Sequence, residues 1–334
     1  MASYIIEVGF AALQQTRLLR NRNVGFLMKR LGKVIRSVQA FGREFSRRSI
    51  PADSHRAPSI GVALGGGFAR GIAHIGVLKV LEEERIPIRM VAGTSVGAIM
   101  GAAYCSGLTI AELEEIAHKV RFATFARWTL SRLGFASTDR MAAFLKQTLK
   151  VHTFEELRIP LAVTATDFKT GGGAVFSSGP IIDPVRASCA YPGMFLPVEI
   201  KGSWLVDGML SHPVPTRPLR DMGVDRVIGV HLKGQWSKTC APRHFFDVIG
   251  QSFAIAQEMI SPVWRSAADI VIEPDVAGFD YDDFKRADEL IRVGEHAMRN
   301  ALPEVRKWLE VPERAAAPLQ APLLTTSPAP LPAE

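Results

Sequence analysis

A chain of 334 residues, 47% of them hydrophobic, has the length and apolar content for one large α/β core with appendages. Its formal charge of +7 is concentrated at one end: residues 1–57 hold eleven Lys/Arg against three Asp/Glu, a net of +8 that leaves the rest of the chain at −1. That excludes a basic nucleic-acid surface spread through the fold, and Cys105, Cys189 and Cys240, odd in number and widely spaced, exclude a disulfide framework or zinc site and favour a reducing compartment. No H-E-x-x-H or similar ligand cluster occurs, so no metal and no cofactor is expected.

Residues 1–50 are predicted to be helical. Phe26, Leu27, Leu31, Val34, Ile35, Val38, Phe41 and Phe45 recur at three- and four-residue spacing, with Lys29, Lys33, Arg36, Arg43, Arg47 and Arg48 on much of the other face. Such a basic amphipathic arm either lies in a membrane interface or packs on the domain, and both readings stay open. Glu7 interrupts the early apolar run and no A-x-A site follows, which argues against a secretory signal; an Arg-rich, acid-poor transit peptide stays compatible with the arm. No run reaches the roughly 18 apolar residues of a membrane span. The expected location is cytoplasmic, peripheral on the inner membrane face through this arm.

Ile50 to Pro58 reads as a linker, so that residues 58–310 form the domain. Ser59–Leu64 is a buried strand followed by Gly65-Gly66-Gly67, and a helix starts near Ala69, turning Ile72, Ile75, Val77, Leu78, Val80 and Leu81 to the core. Met90–Ala92 is the next strand and runs into Gly93-Thr94-Ser95-Val96-Gly97, after which Val96–Ala103 continues as helix. A serine flanked by glycines between a strand and a helix is the sequence form of a nucleophile elbow. The helix that follows favours negative charge at its N-terminus. Loops after parallel strands gather at the carboxyl edge of a sheet, so the Gly65–Gly71 loop and the elbow come together there.

Downstream, Pro160–Thr166 is a strand, Gly171–Gly173 a turn, Asp183–Cys189 a short helix, and Trp204–Val206 a strand ending at Asp207-Gly208. Arg226–His231 and Asp269–Glu273 are strands on either side of a helix across Phe245–Ile260, and Phe284–Leu309 is a long helix. Residues 311–334 are dominated by proline and alanine and read as a disordered tail.

The loop Gly65-Gly66-Gly67-Phe68-Ala69-Arg70-Gly71 lacks the Lys-Ser/Thr of a phosphate-binding P-loop, and no acidic residue ends the next strand as a dinucleotide site requires. Its backbone N–H groups suit an oxyanion hole instead. Ser95 needs a base. His231, at a strand end, is the triad candidate, whereas His74 reads as structural; Asp207 is the better-placed alternative, although Asp-Gly is also an ordinary turn pair.

Three ordered stretches, Leu64–Leu78, Gly93–Ala98, and Ala187–Gly193 leading into Val206-Asp207-Gly208, resemble the patatin-like phospholipase family across roughly residues 58–275. The resemblance implies a three-layer α/β/α fold with a mostly parallel central sheet. It also implies a Ser–Asp dyad without a catalytic histidine: Ser95 as nucleophile, Asp207 as base, loop amides near Gly66 and Gly67 as the oxyanion hole, and Arg70 fixing that loop. The implied chemistry is hydrolysis of a lipid acyl ester, phospholipid or lysophospholipid, through an acyl-enzyme at a membrane surface; oligomeric state is left open. Two positions depart from the family pattern. Phe68 stands where, aligned on Arg70-Gly71, the third glycine is usual, and Met209 replaces the usual small residue after Asp207-Gly208. A noncatalytic lipid-binding protein with Phe68 blocking the hole, and a Ser-His-Asp esterase using His231, are the rival readings.

Overall fold

The computed structural model describes residues 58–233 and 245–310; the basic arm at 1–57 and the Pro/Ala-rich tail at 311–334 lie outside the described residues. The chain enters on strand β1 (Ile60–Leu64), makes a 3-10 turn at Phe68–Ile72, and forms helix α1 (Ala73–Glu83), strand β2 (Ile88–Thr94) and helix α2 (Val96–Cys105). Next come α3 (Ile110–Lys119), the short α4 (Phe122–Phe125), the strand pair β3 (Arg127–Ser131) and β4 (Gly134–Ser137), and α5 (Asp139–Thr148). The second half comprises β5 (Leu161–Asp167), β6 (Gly173–Phe176), α6 (Ile182–Ser188), β7 (Val198–Ile200), β8 (Ser203–Asp207), α7 (Thr216–Asp221), β9 (Arg226–Val230), α8 (Phe245–Arg265), β10 (Ile270–Ile272) and α9 (Ala287–Lys307).

The central sheet runs β10-β9-β1-β2-β5-β8-β7, with β6 also on β5. The five strands from β10 to β5 are mutually parallel, while β6, β7 and β8 pair antiparallel. This is the three-layer, mostly parallel arrangement expected of the sequence. Alternation along β1 separates the two faces: Ile60, Val62 and Leu64 pack with α1, α2, α3, α5 and α9, and Ala63 faces Leu219, Val224 and Trp264 on α7, α8 and the loop after α7. The large residues thus meet the thicker helical layer, and small ones let α7 approach.

The helix expected from Ala69 starts as α-helix only at Ala73: the preceding turn, Phe68–Ile72, is wound as 3-10, and its Ala69 amide donates to Tyr281 O at 3.0 Å. The helix across Phe245–Ile260 continues to Arg265, and Trp204–Val206 extends to an antiparallel strand from Ser203 to Asp207. No helix among the described residues is long and apolar enough to cross a membrane.

α1 and α9 touch through glycine. A Cβ placed on Gly76 would lie 2.0 Å from Ile291 O, and one on Gly294 would lie 2.0 Å from Ala73 O. Backbone stands in the way on both sides, so no rotamer change can make room. Gly294→Ala should therefore lower stability by about 2 kcal/mol in denaturant unfolding of the full chain, as overpacking does; a variant as stable as the wild type would contradict this packing.

Candidate active site

Two strands share one edge of β5. β2 pairs with β5 through Leu161–Thr164 and β8 pairs with it through Ala165–Asp167, while β6 occupies the other edge at Val163–Thr166. β2 runs parallel to β5 and ends with Thr94 opposite Thr164; β8 runs antiparallel and ends with Asp207 opposite Ala165. The last residues of two strands far apart in sequence, Thr94 and Asp207, therefore face consecutive residues of a third. The next residue after Thr94 is Ser95, and its Oγ donates a 2.8 Å hydrogen bond to Asp207 Oδ2.

Ser95 turns sharply, with φ 55° and ψ −125°, and α2 starts at the next residue. A non-glycine residue at positive φ is strained, and the surroundings must hold it. Three contacts do so. The Ser95 amide donates to Ser188 Oγ at 2.8 Å, and its carbonyl accepts from the amides of Ala98 and Ile99. Gly97 brings α2 against β1 so closely that a Cβ there would lie 2.1 Å from Leu64 O. Below the elbow, Thr164 Oγ1 donates to Thr94 Oγ1 at 2.7 Å, which donates to His212 O at 2.7 Å.

Asp207 is fully buried. Its Oδ1 accepts from the Met209 amide at 2.9 Å, its Oδ2 from Ser95, and its own carbonyl from Thr166 Oγ1. Burial pushes the carboxyl up from 3.8 to about 7, against the two hydrogen bonds that favour the anion. Cys189 lies beside the pair; burial first, and then the neighbouring Asp207 carboxylate, push its thiol well above the ordinary range, which keeps it protonated. Gly208 follows Asp207 where a Cβ would meet Thr164 O at 2.4 Å, so the turn keeps its glycine.

The glycine loop lies next to the elbow, with Gly66 Cα facing Ser95 Cβ: a Cβ on Gly66 would lie 3.4 Å from it. The amides of Gly65 and Gly66 are engaged by Val230 O at 3.0 Å and Pro213 O at 3.3 Å. That leaves Gly67 and Phe68 as the loop amides without a protein acceptor among the described residues, one position along from the expected Gly66 and Gly67. His74, buried and drawn down to about 4 by desolvation, is neutral and donates Nε2–H to Gly65 O at 2.8 Å. It is a loop anchor, as expected. Arg70 is buried in the same turn and faces Asp280, and Gly71 packs beneath Val96.

Phe68 adopts φ 53°. Its ring meets Tyr191 edge-on at 5.1 Å and Tyr281 at 6.1 Å. It stands between two cavities. One, of about 620 Å³, is apolar, holds Ser95 and Asp207 at its floor, and is walled by Ile99, Phe122, Phe125, Phe195 and Phe284. The other, of about 680 Å³, is more polar and includes Arg70, His231, Lys233, Gln257 and Glu258. Phe68 thus lines the Ser95 cleft, where Ser95 is half-buried. Met209 contributes to the buried cluster of Tyr191, Met194 and Phe195.

His231 is held elsewhere. Its Nδ1 meets Glu273 Oε1 at 2.9 Å and its ring lies 5.0 Å from Trp264. Among the described residues no histidine hydrogen-bonds to Ser95 or Asp207. Ser188 and the Thr94–Thr164 pair are site residues to which the sequence assigned no role, although Thr94 and Ser188 both fall in stretches already singled out.

Residues 62–220 match the family model described as patatin-like phospholipase. An uncharacterized NTE family protein of Mycobacterium tuberculosis (strain ATCC 25618 / H37Rv) is 33% identical over 184 residues, covering 53% of this chain and 50% of the relative. Lysophospholipase NTE1 of Mycosarcoma maydis is 30% identical over 265 residues, 75% of this chain and 14% of the relative. The alignments thus span about half the length of the mycobacterial relative and a small part of the fungal one. The solved structure of VipD from Legionella pneumophila aligns with a TM-score of 0.46 at 13% identity, over 75% of this chain and 67% of that one.

Burial of Asp207 links stability to pH. Between 3.8 and about 7 the carboxyl is ionised in the unfolded chain and protonated in the folded one, so unfolding releases a proton and stability falls as pH rises through this window. A shift of that size corresponds to about 4 kcal/mol lost by pH 8. Asp207→Asn, which does not titrate, should match wild-type stability near pH 4 and exceed it by a margin that grows up to pH 8 in urea unfolding. A stability difference independent of pH would refute the burial of an ionisable carboxyl here.

Proposed function

We propose, from the premise that this chain belongs to the patatin-like phospholipase family, that it hydrolyses lipid acyl esters with Ser95 as nucleophile and Asp207 as general base. The observation that carries the proposal is the 2.8 Å hydrogen bond from Ser95 Oγ to a carboxylate that burial has brought to a pKa of about 7. A base matched to neutral pH is what proton abstraction from a serine requires. Relatives named as lysophospholipases support the choice of a lipid ester.

The reaction follows from the geometry. With an acyl chain in the apolar cleft, Ser95 Oγ attacks the ester carbonyl while its proton passes to Asp207 Oδ2. The tetrahedral oxyanion takes hydrogen bonds from the amides of Gly67 and Phe68, and the N-terminus of α2 adds a favourable field. Collapse expels the alcohol, which leaves with the proton from Asp207. Water then gives a proton to the same carboxylate and attacks the acyl-Ser95 carbonyl, and the serine regains its proton as the fatty acid departs. The positive φ of Phe68 turns its backbone as a glycine would, which supports retention of the hole at this departure from the family pattern. The cleft favours a phospholipase A or lysophospholipase over an esterase of small polar acids, since its walls are aromatic and aliphatic.

Ser95→Ala should abolish hydrolysis of lysophospholipid and of a short-chain nitrophenyl ester, and Asp207→Asn should reduce kcat by about a thousandfold or more. The wild-type kcat/KM should rise with pH to half its maximum near pH 7, as Asp207 loses its proton. His231→Ala should change kcat by no more than about twofold. A profile flat from pH 5 to pH 9, or a His231 variant as inactive as the Ser95 one, would overturn the assignment.

A further inference from the structure

The β3–β4 hairpin, Arg127 to Ser137, packs against two wall residues of the Ser95 cleft, Phe122 and Phe195, and carries none of the reacting groups. Its inner strand is pinned down: the Phe135 and Ala136 amides donate to Met194 O at 3.0 and 2.9 Å, and the Leu196 amide donates to Ala136 O at 3.0 Å. Gly134 lies so close to the Phe195 backbone that a Cβ there would come within 3.0 Å of it. Phe195 walls the cleft, and so does Phe122, whose ring lies 6.3 Å from Trp128 of the hairpin. The hairpin is thus continuous with the cleft wall.

Its outer surface has the opposite character to an ordinary solvated turn. Trp128 is 67% exposed and Leu133 63% exposed, and each has an exposed arginine next to it, Arg127 and Arg132. From Ile116 to Thr138 the sequence contains Lys119, Arg121, Arg127 and Arg132 and no acidic residue. Exposed tryptophan and leucine cost free energy in water, and the pairing of such side chains with exposed arginines suits the boundary between lipid headgroups and acyl chains. Anionic headgroups complement the cations.

We propose that the Arg127–Ser137 hairpin is a membrane-docking element: it seats Trp128 and Leu133 in the headgroup boundary of an anionic phospholipid surface, with Arg127 and Arg132 on the headgroups. That posture sets the cleft mouth against the bilayer, so that an acyl chain passes from lipid to Ser95 without crossing water. The proposal rests on the lipid-ester reading above.

The basic residues 1–57 offer a second source of vesicle binding, so the readout must be local to the hairpin. In hydrogen–deuterium exchange on the full-length Ser95→Ala protein, mixed phosphatidylglycerol–phosphatidylcholine vesicles should slow amide exchange in residues 128–134 by about tenfold, and pure phosphatidylcholine vesicles should do so less. Arg132→Gln with Leu133→Asp should remove that protection in the Ser95→Ala protein, and in the protein with Ser95 intact should lower turnover of vesicle phospholipid by about tenfold, with turnover of a soluble short-chain ester unchanged. Unaltered exchange in the hairpin of vesicle-bound protein would overturn the proposal, and so would failure to bind vesicles at all. A dimer dissociated by Leu133→Asp, with no vesicle protection, would assign this face to a second copy of the chain instead. Soluble-ester turnover that Ser95→Ala abolishes would leave the catalytic reading standing in any of these cases; its absence in the wild type would sink that reading alone.

Discussion

One edge of strand β5 carries the ends of two other strands, and the site depends on it. β2 delivers Thr94 opposite Thr164 and β8 delivers Asp207 opposite Ala165, from opposite directions. Because successive residues in a strand are about 3.3 Å apart, this register brings a serine one residue beyond the first strand end within hydrogen-bond reach of a carboxylate at the second. Neither partner needs a long flexible side chain to find the other. The backbone ladder places both, with the Thr94–Thr164 hydroxyl contact and the Thr166–Asp207 bond locking the junction from beneath.

The same junction explains the costs the fold bears. Ser95 and Phe68 both hold a backbone conformation that non-glycine residues avoid, and both line the apolar cleft. Among the described residues Asp207 is buried without a positive partner, its carboxylate accepting from one amide and one hydroxyl. A carboxyl that destabilises the folded chain at neutral pH is retained where it is ready to accept a proton, which is how stability and activity commonly oppose one another.

The parts of the site with local signals were legible in the sequence. Gly97 and Gly208 mark places where one backbone runs against another, and that requirement acts through the residue itself, so the glycines around Ser95 and after Asp207 were readable. The parallel strands also showed as apolar runs. The register on β5 was not readable, since a pairing between Thr94, Thr164 and Asp207 leaves no mark in any short window. Ser188 escaped for the same reason: its role is defined only by the Ser95 amide that reaches it. Residues 104–159 carry no element in the sequence reading. There the capping box of Thr109 and Glu112 is a local signal for α3, whereas the β3–β4 turn has none of the Asn-Gly or Asp-Gly chemistry that identifies a hairpin. Which glycine-loop amides remain available likewise depended on tertiary partners, Val230 O and Pro213 O.

The most direct test of the central claim is the rate at which a fluorophosphonate phosphonylates the intact protein, followed by mass spectrometry from pH 5 to pH 9. A single adduct should form, on Ser95, with a rate constant that rises to half its maximum near pH 7 and falls to background in Asp207→Asn. An adduct on another residue, or a Ser95 labelling rate that is the same with and without the Asp207 carboxylate, would contradict it.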